Sequence, residues 1–152
     1  MKGNFSNGVL AFRKALVQLK HENDHNRQVA ISNLLAIALT CDQQDPKNEE
    51  AIAIAEKNAI EHPTDPNLVG TLGWIYFKSG KSDEAKQLLT RAAELSPQMS
   101  ADLSFFVADF YHSTKEVAVS NQFLQAAIEG TQGIFVMKAC ASELAGRSEP
   151  PK

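Results

Sequence analysis

Apolar residues recur at helical spacing along nearly the whole chain, and no stretch keeps the strict alternation of a half-buried strand. Val9, Leu10, Phe12, Leu16 and Leu19 form a first amphipathic stretch, followed by a polar run from Lys20 to Arg27 that predicts an inter-helix loop. The next stretch, Val29 to Thr40, places Leu34, Leu35, Ala38 and Leu39 on its apolar face, and Asp42 to Glu49 reads as a loop with Pro46 near a helix start. Ala51 to His62 is alanine-rich and stops at Pro63, after which Asp65-Pro66 predicts an N-cap and a first-turn proline. Asn67 to Ser79 closes at Gly80, a residue able to take the left-handed conformation that ends helices. Ser82-Asp83-Glu84 predicts the cap and first turn of a helix running to Leu95, before Ser96-Pro97. Helices over 100–112, 115–129 and 134–145 complete the set, with 146–152 as a tail. Eight helices with short connections predict an all-α antiparallel array.

Such an array invites a test for internal repetition. From Pro66 to Met99 the chain carries Leu72-Gly73, Tyr76, Gly80, Ala85, Ala92 and Pro97, at the seventh, eighth, eleventh, fifteenth, twentieth, twenty-seventh and thirty-second places of a 34-residue window. Small residues at the eighth, twentieth and twenty-seventh places let two helices approach closely, and a proline then frees the chain for the next hairpin. This window resembles a tetratricopeptide repeat; Val69 stands where the family has Trp, and Leu89 where it has a large aromatic. In the same register, 100–133 places Phe106, Val107, Phe110, Val119, Phe123 and Ala126 in the core, with Val107 and Val119 replacing small residues. Upstream, Leu35, Ala36, Leu39, Ala51, Ala55 and Pro63 fit a unit over 29–65 whose loop is three residues longer, with Asn58 where Ala is usual. Phe12 and Ala15 fit the second helix of a half-repeat over 4–20.

The resemblance implies one domain over 1–146, a right-handed α-solenoid of about three repeats with flanking helices. It is similar to bacterial proteins of this kind, often the end of a longer array. Units of this type need neighbours to bury their apolar faces, so the missing first half points to a fragment or an altered cap. The resemblance also implies a non-catalytic scaffold, whose first helices line a groove for a peptide or helix of a partner protein. Carried over position by position, the groove residues are Asn33, Ile37, Asn67, Trp74, Phe77, Lys78, Ser104, Ala108, Tyr111 and His112. Trp74 is the expected anchor if it lies open on the concave wall, and a packing residue if it lies between neighbouring first helices. Gly70, Thr71 and Trp74 occupy the places where chaperone-binding relatives carry a carboxylate clamp, so that clamp is not recognisable here. An alternative is self-assembly, by a second copy or by the last helix, whose start Ile134-Phe135-Val136-Met137 is apolar.

Net charge is −3 at neutral pH, which offers no basic footprint for phosphate backbones and argues against a nucleic-acid partner. No run approaches the apolar length needed to span a bilayer, and no signal-peptide pattern opens the chain, so membrane insertion is not expected. A cytoplasmic place is expected for the chain as it stands, and a periplasmic one if it is part of an exported protein. Cys41 and Cys140 show no metal or disulfide spacing and read as small hydrophobic helix residues.

One string has catalytic form. His21-Glu22-Asn23-Asp24-His25 matches H-E-x-x-H, in which two imidazoles on one helix face bind zinc and the Glu is the general base. Asn23 and Asp24 are poor helix formers and the string joins two helices, so a metal-dependent hydrolase using His21, Glu22 and His25 is the remote reading. No phosphate loop or nucleophile elbow is visible, and no cofactor is implied.

Overall fold

The structure, a computed structural model, describes residues 5–42, 48–130 and 135–148. Eight helices follow in order: α1 Phe5–Glu22, α2 His25–Asp42, α3 Glu49–Glu61, α4 Pro66–Lys78, α5 Ser82–Leu95, α6 Ala101–Ser113, α7 Val117–Glu129 and α8 Phe135–Ser148. No strand occurs among the described residues. Expectations for Pro46, Ile134, residues 149–152 and the side chains of Phe135 and Val136 lie outside the described residues.

Local chemistry sets the helix ends. The Asp65 carboxylate accepts from the backbone N–H groups of Asn67 (2.9 Å) and Leu68 (3.2 Å), with Pro66 as the first helical residue of α4. Gly80 has φ 84° and closes α4 as its sequence context predicts, while the backbone N–H of Lys81 returns to the Tyr76 carbonyl (2.9 Å). Ser100 Oγ accepts from Leu103 N–H at 3.2 Å and caps α6. Two ends differ from expectation. Ser82 is inside α5, whose N-cap is Lys81 with no side-chain bond. The polar run after Leu19 is mostly helical: α1 reaches Glu22 and α2 begins at His25, so only Asn23 and Asp24 turn the chain, with Asn23 at φ 55° and Asp24 Oδ1 accepting from Arg27 N–H (3.1 Å).

Successive helices pair as antiparallel hairpins, α2 with α3, α4 with α5 and α6 with α7, while α2, α4, α6 and α8 lie side by side. At Gly73 an added Cβ would stand 3.0 Å from both Leu88 Cβ and Leu89 Cγ, so the missing side chain is what lets α4 and α5 meet. The buried face of α5 is Ala85, Leu89 and Ala92, and that of α3 is Ala51, Ala55 and Asn58, at the same 4-then-3 spacing. Asn58 is buried at its alanine position, where its Oδ1 accepts from Ser32 Oγ at 3.1 Å and its Nδ2 meets no partner among the described residues.

The third hairpin corrects the expected register. Its buried α7 face is Ser120, Leu124 and Ala127, one residue later than Val119, Phe123 and Ala126, and Ala126 is exposed. The features of α4 and α5 recur 35 positions on: cap Asp65 in Ser100, Tyr76 in Tyr111, left-handed Gly80 in Lys115 (φ 65°), and the Lys81–Tyr76 backbone bond in Glu116–Tyr111 (3.0 Å). Gly73 and Ala85 thereby correspond to Ala108 and Ser120, both small and fully buried, with Ser120 Oγ donating to the Ala108 carbonyl at 2.9 Å. The extra residue lies in the link 96–100, five residues against the four of 62–65. Val107 and Val119 therefore never had to replace small residues.

One continuous core runs from Ala36 and Ile37 through Ile75, Phe106 and Leu124 to Met137 and Ala141 of α8. A smaller cluster of Val9, Leu35 and Ala38, with Phe12 and Leu16, holds α1 to α2.

Candidate functional site on the first-helix face

The first helices converge at one point through polar groups. Trp74 of α4 is buried, stacks on Phe106 of α6 (centroids 4.7 Å apart) and donates its Nε1–H to Asp109 Oδ2 at 2.8 Å. The same oxygen takes Lys78 Nζ at 2.5 Å, and that ammonium lies 5.1 Å from the Phe77 ring centroid. Cys41 of α2 joins this group. Burial first, then the neighbouring Cys140 of α8 and Asp109, push its thiol up to about 12 against the opposing pull of Lys78. Burial pushes the Cys140 thiol up as well. Four helices thus bring side chains to one place and fill it.

The ten expected groove residues divide accordingly. Trp74, Ile37, Ser104 and Ala108 are buried, so they do not present themselves to a partner; Trp74 packs between first helices and is not an open anchor. In the 35-residue register the α6 equivalent of Trp74 is Asp109, which sequence reasoning missed because the extra link residue displaced it. Phe77, Tyr111 and His112 are half-buried, and Phe77 meets Phe110 edge-on with centroids 5.5 Å apart. Lys78 is partly exposed while holding Asp109.

Asn33 and Asn67 come together. They line one cleft of about 440 Å³ between α2, α4 and the α3–α4 link, with Asn26, His62, Asp65 and Leu68. Asn67 is exposed, and its Oδ1 accepts from Ser100 Oγ at 2.7 Å, so its amide is oriented from the next hairpin. Asn33 Oδ1 is buried and meets no donor among the described residues. A turn of the Asn33 side chain toward the cleft would bring this acceptor to a ligand N–H or O–H.

The H-E-x-x-H string does not form a zinc-protease site. His21 lies in the last turn of α1 and His25 begins α2, and the left-handed Asn23 between them breaks the single helix that the motif requires.

Residues 44–104 match the family model described as Tetratricopeptide repeat, spanning α3, the α4–α5 hairpin with its Gly73 and Ala85 contact, and the start of α6. Residues 44–104 are a tetratricopeptide-repeat region. No curated protein matches it. Tetratricopeptide repeats mediate protein–protein interaction and are typically non-catalytic. No helix among the described residues is long and apolar enough to cross a membrane.

Proposed function

We propose that the chain is a non-catalytic scaffold that takes an extended segment of a partner protein into the cleft between α2 and α4. The observation that carries this reading is the buried, donor-less Asn33 Oδ1 beside the oriented amide of Asn67. Two carboxamides on adjacent first helices suit a peptide main chain: Asn33 accepts a backbone N–H while the Asn67 amide donates to a carbonyl. The filled aromatic end of the face speaks against the expected apolar groove, since its large rings already satisfy one another. A polar, extended ligand therefore fits better than an amphipathic helix.

The test is selection from a random peptide library displayed on phage, with the recovered peptides measured by fluorescence anisotropy. Asn33→Ala and Asn67→Ala are expected to weaken them about tenfold each, a loss of about 1.4 kcal/mol. Lys57→Ala, on the exposed side of α3, should leave affinity unchanged. Peptides that bind all three variants equally would place recognition elsewhere.

A further inference from the structure

His25, discarded with the zinc-protease string, has different neighbours in three dimensions. It begins α2, while Glu61 and His62 end α3, and one potential ligand atom from each of the three lies within 4.8 Å of the others. The two imidazole centroids are 6.0 Å apart with ring planes at 34°. His62 Nε2 is buried and meets no hydrogen-bond partner among the described residues, although its ring stands in a packed position at the helix end. His25 and Glu61 are exposed on the same side and also border a smaller cleft of about 280 Å³.

We propose that His25, Glu61 and His62 form a binding site for one divalent transition-metal ion of the zinc class. Two imidazoles and one carboxylate are the nitrogen–oxygen set that such ions take, whereas magnesium and calcium select oxygen donors alone. Around tetrahedral zinc, donors about 2.1 Å from the ion stand about 3.4 Å apart, so the three groups must close by at most about 1.4 Å. Rotation of the exposed His25 and Glu61 side chains toward the half-buried His62 supplies that closure. The fourth position faces solvent and takes water. Among the described residues Glu61 has its charged contact with Lys57 at 4.0 Å, loose enough for a stronger cation to displace it. Binding the ion ties the start of α2 to the end of α3, across the hairpin that has the longest internal connection.

The experiment uses the full chain, stripped with EDTA and titrated with zinc chloride by calorimetry, with thermal melts followed by circular dichroism. One ion per chain is expected, with a melting temperature that rises as zinc is added. His25→Ala and Glu61→Gln, both at exposed positions that leave folding intact, are each expected to lower the affinity at least about tenfold. His21→Ala is expected to change nothing, which separates this site from the H-E-x-x-H string. The cobalt-substituted protein should show the visible bands of a four-coordinate ion. Absence of stoichiometric binding, loss on His21→Ala, or binding that survives both His25→Ala and Glu61→Gln would mean an adventitious ion only and overturn the proposal.

Discussion

Trp74 and Asp109 join the second hairpin to the third through a hydrogen bond of 2.8 Å from the indole Nε1–H to Oδ2. The indole is 3% exposed, so its N–H has no recourse to water if the acceptor is lost. The carboxylate in turn is held by Lys78 from the same helix as the indole.

Asp109→Ala should therefore destabilise the protein by about 1–3 kcal/mol, the cost of leaving a buried donor unpaired. Lys78→Ala should cost less than about 1 kcal/mol, because that ammonium is partly solvated. Urea unfolding of the two single variants and the double variant measures both. Trp74, the chain's one tryptophan, should emit at short wavelength and resist acrylamide in the wild type, and become more quenchable in Asp109→Ala.

The register of the third hairpin has a direct test in two adjacent alanines. Ala127 is fully buried and Ala126 exposed. Ala127→Ile is expected to cost about 1–3 kcal/mol by overpacking, and Ala126→Ile to lie within about 0.5 kcal/mol of wild type. A 34-residue register would reverse that order in thermal melts.

Gly73→Ala should destabilise by about 1–3 kcal/mol, despite the better helix propensity of alanine. The new methyl meets Leu88 Cβ and Leu89 N, at 3.0 and 3.1 Å, and neither atom can rotate away. Chemical denaturation with an unchanged slope would check that the loss is in the folded state.

Alkaline stability follows from two raised groups. Burial holds the Cys41 thiol at about 12 against an ordinary 9.0, and the hydrogen bond to Glu56 holds the Tyr76 phenol at about 12 against 10.0. In each case the unfolded chain loses its proton first, so the stabilisation is complete below about pH 9 and is lost as pH rises through about 12. Melting temperature is expected to fall across that window. At pH 8 Cys41 should also react with a thiol reagent only on unfolding.

Most helix positions, the close-packed hairpin of α4 and α5 and the family resemblance could be read from the chain, because each depends on local chemistry or on spacing within one window. Asp65, Pro66, Gly73, Gly80 and the small residues Ala85 and Ala92 act on neighbours a few residues away or at a fixed helical period. The burial of Trp74 could not be read this way. An indole at that position is open or covered according to what the next hairpin brings opposite it, and that partner shifted when the link 96–100 gained one residue. The same limit applies to His25. Its sequence neighbours suggested His21, yet a two-residue turn ends the α1 helix and starts α2 in a new direction, and packing of α2 on α3 sets His25 beside His62. Periodicity along one chain decides what folds into a helix; only the meeting of helices distant in sequence decides which side chains are left facing solvent, and which face one another.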